Sequence, residues 1–166
     1  IKKIHQLERN AKAMRPQLQL MGTVGVSDST NRTNQLITGV GANLVLPLTL
    51  KWKLNIGGTV GAELLEPGFG WNLMISTDRH LTYWLDLGPV AVVNGNSGEF
   101  RGMQSWATGL GVMARLKTGT NLSLFFCPYV GVGGKKAKVF GNSPSFSFAG
   151  GGIVGFTVNV LKEVIK

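Results

Sequence analysis

The sequence predicts an all-β fold: an eight-stranded antiparallel up-and-down transmembrane β-barrel behind a short N-terminal amphipathic helix. Three observations carry that expectation. Apolar residues alternate with polar or small ones over long stretches, the connections between those stretches alternate between short and long, and aromatic residues gather at both ends. The clearest stretch runs from Leu50 to Leu64. There Leu50, Trp52, Leu54, Ile56, Gly58, Val60, Ala62 and Leu64 alternate with Lys51, Lys53, Asn55, Gly57, Thr59, Gly61 and Glu63. Such a run outlasts the usual ~5–6 residues of a soluble strand and the roughly 9–11 that a tilted strand needs to cross a bilayer.

Residues 1–15 form the helical segment, because Ile1, Ile4 and Leu7 recur at helical spacing among Lys, Arg, Glu and Gln, and Pro16 ends the run. Residues 17–160 form the barrel domain, and 161–166 a short C-terminal tail. Strands are expected at 17–27, 35–46, 50–64, 70–77, 81–93, 103–116, 121–133 and 145–160. Between them 47–49, 78–80 and 117–120 are short, whereas 28–34, 94–102 and 134–144 are long and 65–69 intermediate. In a meander, successive connections fall at opposite ends, so short turns collect on one side and longer loops on the other.

The second strand sets Leu36, Val40, Ala42, Leu44 and Leu46 against Gly39, Gly41 and Asn43. The fifth sets Leu81, Tyr83, Leu85, Leu87, Pro89, Ala91 and Val93 against Thr82, Trp84, Asp86 and Gly88. The sixth sets Trp106, Leu110, Val112, Ala114 and Leu116 against Ser105, Ala107, Gly109, Gly111 and Arg115. The last two continue the pattern with Leu122, Leu124, Phe126, Val130 and Val132, then Phe146, Phe148, Val154, Phe156, Val158 and Val160. An eight-stranded ring has little interior volume. Small residues therefore belong inside and large apolar ones outside, facing lipid. On that assignment Trp52 and Tyr83 form one aromatic girdle beside the short turns, and Trp71, Trp106 and Phe146 a second beside the long loops.

These features resemble the small eight-stranded outer-membrane barrels, the OmpA/OmpX-like architecture, over roughly 17–160. The resemblance implies an outer-membrane location with both termini on the periplasmic side. It also implies the roles such proteins fill: anchors, adhesion or resistance factors, narrow pores, or lipid-modifying enzymes. The last strand departs from the terminal aromatic residue many of them carry, since Val158-Asn159-Val160 is followed by Leu161-Lys162-Glu163-Val164-Ile165-Lys166.

Composition narrows the classes further. The 166 residues suffice for one domain, and no apolar run reaches the roughly 18 residues of a helical span. The chain opens on Ile1 rather than Met, the form expected of a processed protein or an excised piece. Its 24 glycines follow no collagen period, which points to sheet curvature and a narrow interior. A single cysteine, Cys127, excludes an internal disulfide and reads as a packed strand residue. The net charge of +9 would attract anionic lipid, and its scatter along the chain without a recognition motif argues against specific nucleic-acid binding.

Little chemistry is legible. No metal, phosphate-loop or cofactor motif is present, so neither cofactor nor metal is expected, and an enzyme is disfavoured. The weak catalytic candidates are His80, Ser76 and Asp78, with His80 read as a solvated turn residue. Lys51, Lys53, Asp86 and Arg115 are expected to share a lumenal charge network near the periplasmic mouth, because isolated buried charges are costly. The leading expectation is a membrane anchor or interaction module with a closed or narrow lumen. It would contact membrane lipid through its strands and protein partners through loops 94–102 and 134–144. The alternatives are a soluble barrel with the faces reversed, binding an apolar ligand or belonging to a secreted or virion assembly; a narrow anion-preferring pore; and a membrane-lipid-modifying enzyme.

Overall fold

The computed structural model describes residues 4, 6–7, 10–11, 14–29, 35–65, 68–98, 103–119, 121–137 and 145–160. Eight strands follow one another: β1 (Gln17–Ser29), β2 (Gln35–Pro47), β3 (Trp52–Glu63), β4 (Gly68–Thr82), β5 (Leu85–Gly98), β6 (Met103–Lys117), β7 (Leu122–Ala137) and β8 (Ser145–Asn159). Each pairs antiparallel with its sequence neighbours, and β8 returns to β1 through the register Gln19↔Asn159 to Ser29↔Ala149, closing the ring. Closure removes every sheet edge, so the backbone pairs within the wall, with gaps in the ladders beside Pro89 and Pro128, which have no N–H to donate. The expected segment 1–15 falls mostly outside the described residues, and the tail 161–166 wholly so.

Alternation decides which side chain faces where. In β3, Asn55, Gly57, Thr59 and Glu63 are buried inside, while Trp52, Ile56 and Val60 are exposed. The same parity holds around the ring, with Leu20, Val40, Leu73, Leu110, Val130 and Val154 outward. The apolar face thus lies outside, opposite to the arrangement a soluble barrel needs.

The inward face is less uniformly small than the sequence suggests. Met21, Met74, Val90, Val92, Met113, Phe125, Cys127, Tyr129 and Ile153 form a packed cluster within the lumen. They follow the same two-residue period as the inward glycines. Glycine makes room both for these larger groups, since a Cβ at Gly155 would lie 2.6 Å from the Phe125 ring and one at Gly57 2.9 Å from the Met21 methyl, and for the backbone of a neighbouring strand. At Gly41 an added Cβ would meet the Gly58 carbonyl carbon and Thr59 Cα, each at 2.8 Å.

Two connections differ from expectation. The β4–β5 turn is Tyr83–Trp84 rather than 78–80, so Asp78, His80 and Leu81 belong to β4. A register shift between His80 and Thr82 absorbs the extra residue, and Thr82 Oγ1 accepts from the Leu85 N–H at 3.2 Å. Hydrogen bonding to β3 and β5 prolongs the strand past a sequence, Asp78-Arg79-His80, that reads locally as a turn. At the opposite end, Asn94–Gly98 continues β5 and Gly134–Ala137 continues β7, so much of the expected loops 94–102 and 134–144 is strand. The remainder, 99–102 and 138–144, lies outside the described residues.

The short-turn end is tightly made. Leu48 and Thr49 N–H groups both donate to the Trp52 carbonyl, at 2.9 and 3.1 Å, and Thr49 Oγ1 accepts from the Lys51 and Trp52 N–H groups. At the β6–β7 turn the Thr118 N–H and hydroxyl both donate to the Leu122 carbonyl at 3.2 Å.

Candidate functional site

Lys53, Asp78, His80, Asp86, Arg115 and Lys117 meet on the inward face just inside the short-turn mouth. Register does the positioning: Lys53 lies opposite Asp78, His80 opposite Asp86, and Asp86 opposite Arg115. All point inward by strand parity. Gly88 brings β5 close to β4 here, since a Cβ on it would lie 3.0 Å from Asp78 Cα.

Two carboxylates organise the cluster. Asp86, 2% exposed, accepts from Lys117 Nζ at 2.9 Å, lies 2.7 Å from His80 Nδ1 and faces Lys53 Nζ at 3.8 Å. Asp78 accepts from Arg115 Nε at 3.2 Å through one oxygen and from the Ser76 hydroxyl at 2.7 Å through the other. Arg115 also lies over the Phe125 ring, 5.8 Å from its centroid. The two pairs differ in wetness. Asp78 and Arg115 are buried, whereas Lys53, His80 and Lys117 are only half-buried and open toward the mouth.

The structure therefore unites three of the four residues expected in the network, Lys53, Asp86 and Arg115. Lys51 is exposed in the β2–β3 turn and contributes its backbone carbonyl, which accepts from the His80 N–H at 2.7 Å. Sequence reasoning missed Lys117, Asp78 and His80 as members. His80 is not the solvated turn residue expected. It stands on the inward face of β4 with its imidazole on Asp86, and Ser76 is bonded to Asp78 instead. Period-two spacing of Ser76, Asp78 and His80 was the signal, and it continues the inward parity of Asn72 and Met74.

Above this layer the lumen is filled. Gln19 donates to Asn159 and accepts from Asn43, both at 2.7 Å, and Thr23, Thr59 and Asn72 form a second polar set. Met21, Met74, Met113 and Phe125 close around a residual cavity of ≈ 10 Å³ that Asn55 and Arg115 also line. That is room for about one water molecule. Higher still, Tyr129 bonds Asn94, and at the far rim Glu63 accepts from the Leu36 and Leu65 N–H groups at 2.8 and 3.2 Å.

The aromatic residues expected in the two girdles lie toward the barrel ends. Trp52 opens β3, and Tyr83 is 86% exposed in the β4–β5 turn beside Trp84. Trp71 and Trp106 flank Gly95 toward the other end, where the Trp71 ring occupies the space a Gly95 Cβ would fill. Phe146 pairs with Gly134 through its backbone, and its side chain lies outside the described set.

No protein family and no curated protein sequence matches the chain. Solved structures do. Neisserial surface protein A aligns over 87% of this chain and 97% of its own, at 15% identity and a TM-score of 0.52. The chain has the fold of a small outer-membrane barrel. The attachment invasion locus protein Ail of Yersinia pestis covers 87% of this chain and 97% of its own, at 11% identity and a TM-score of 0.40. A major outer membrane protein from Thermus thermophilus covers 86% and 99%, at 12% identity and a TM-score of 0.38.

Proposed function

We propose that this barrel is embedded in the outer membrane as an anchor or interaction module with a closed lumen. The observation that carries the reading is the apolar exterior of an edgeless ring. Val40 and Leu110 are each 71% exposed, and similar side chains surround the wall. Water tolerates apolar patches of only ~300–600 Å² on a typical monomer. Lipid imposes no such limit, and a closed barrel leaves no sheet edge unpaired in it.

An even number of strands puts both barrel termini at the short-turn end, which we assign to the periplasmic side. Trp52, Tyr83 and Trp84 then mark one interface, and Trp71 and Trp106 the other. Protein partners would meet the opposite rim, built on the upper ends of β5 and β7 and completed by 99–102 and 138–144. The charge cluster serves as a structural plug for the mouth, because its two carboxylates already hold the nearby bases.

Two measurements test this reading. Diluted from urea into liposomes, the chain is expected to fold to a heat-modifiable form that floats with lipid. A monodisperse monomer in detergent-free buffer that ignores liposomes would overturn it. In planar bilayers the full chain is expected to give no stable conductance steps, since side chains pack across the lumen and the cavity beside Arg115 measures ≈ 10 Å³. Reproducible anion-selective steps would instead favour a narrow pore past Lys53 and Arg115.

A further inference from the structure

Among strand residues whose side chains are described, Arg79 is the one ionisable group on the outward face. Its neighbours along β4 on that face are Trp71, Leu73, Ile75 and Thr77. A charge at the bilayer midplane is strongly disfavoured, but near the interface the penalty falls toward zero. Arg79 stands near the short-turn end of β4, away from the middle of the wall. It pairs in register with Trp52, the first residue of β3, and its guanidinium lies 5.9 Å from the Trp52 ring centroid. Lys51 directly precedes Trp52, exposed in the β2–β3 turn, and its backbone carbonyl accepts from the N–H of His80, the residue after Arg79. Neither base is paired with a carboxylate among the described residues. At the same end of the wall Leu50, which precedes Lys51, Leu81, which follows Arg79 on the outward face, and Tyr83 in the β4–β5 turn are all exposed.

We infer that Arg79 and Lys51 form a docking point for the phosphate of a membrane lipid in the leaflet at the short-turn end. This rests on the membrane-embedded reading above. The chemistry is complementary at each level. Stacking on Trp52 fixes the guanidinium plane, leaving its fork of N–H donors to grip two phosphate oxygens. Lys51 adds a second positive charge from the water side. Leu50, Leu81 and the Tyr83 ring lie where the glycerol and upper acyl chain of that lipid would rest.

Native mass spectrometry tests the inference on the full chain folded into vesicles of equimolar phosphatidylglycerol and monogalactosyl diacylglycerol. Retention of phosphatidylglycerol is expected to exceed that of the phosphate-free lipid about fivefold, the scale of one basic side chain at an anionic surface. Arg79→Gln should bring the ratio near one, Lys51→Gln should lower it partly, and Arg79→Lys should keep only part, since an ammonium lacks the fork. Excess inorganic phosphate should leave the ratio unchanged. A wild-type ratio near one, an undiminished ratio in Arg79→Gln, or loss of the preference to free phosphate would each overturn the inference. Should Arg79→Gln not fold, Arg79→Lys and Lys51→Gln decide, and undiminished ratios in both would overturn it. Failure to float with vesicles would overturn the membrane reading and this one together, whereas flotation without headgroup preference removes this one alone.

Discussion

Gly41→Val is expected to abolish barrel formation. Gly41 faces inward on β2, and the space beside its Cα is taken by the β3 backbone, with the Gly58 carbonyl carbon and Thr59 Cα each 2.8 Å from where a Cβ would stand. Overpacking against side chains costs about 1–3 kcal/mol because rotamers give way. Backbone held in a ladder on both sides has no such freedom. Relief requires β2 and β3 to part, which breaks hydrogen bonds in a wall whose closure needs all eight pairings. The loss should reach the exceptional range beyond ~4–5 kcal/mol. Gly119→Val is the control. Nothing lies within 4 Å of its Cβ position, in the β6–β7 turn, so its effect should stay within about 0.5 kcal/mol. The heat-modifiable fraction after liposome folding, with urea midpoints, checks both. A folded Gly41→Val protein with the wild-type midpoint would mean that the wall yields at this rung without loss.

The wall was legible in the sequence because its cause is local. A two-residue period states which side chains share a face, and eight such runs with alternating connections leave few other topologies. Parity alone placed Asn55, Asp86 and Arg115 inside and Leu54, Val112 and Phe156 outside. What the period does not state is where pairing stops. Asp78-Arg79-His80 has turn composition, yet partners on β3 and β5 carry β4 on to Thr82. That misplacement hid His80 and Asp78 from the charge cluster. The filling of the lumen was legible in principle. Phe125, Cys127 and Tyr129 share the inward parity of Ser123 and Gly131, and the glycines drew attention to small residues while bulky ones sat at the same phase. The diagonal pairing of Lys53 with Asp86, and of Arg115 with Asp78, follows from the stagger of a tilted barrel, which appears only once the registers are known.

Asp78→Ala should be the most damaging change in the charge cluster, and more so than Asp86→Ala, although Asp86 holds more partners. The difference is water. Asp78 is 1% exposed and its partner Arg115 8%, so deleting the carboxylate strands a guanidinium that cannot reach solvent. Breaking a buried pair in this way costs about 3–5 kcal/mol. Removing Asp86 frees Lys53, His80 and Lys117, whose side chains are 32%, 37% and 25% exposed and can turn toward the mouth. The cost there should be about 1–2 kcal/mol, the scale of a charge-assisted hydrogen bond discounted for screening. Pairing Asp78→Ala with Arg115→Met should recover most of the loss. The added thioether packs beside Met113, Met74 and Phe125 and leaves no charge to satisfy. Urea midpoints of the single and double variants in liposomes give the coupling directly. Equal losses for Asp78→Ala and Asp86→Ala, with no recovery in the double variant, would mean that water reaches Arg115 and that the lumen is open well above its mouth.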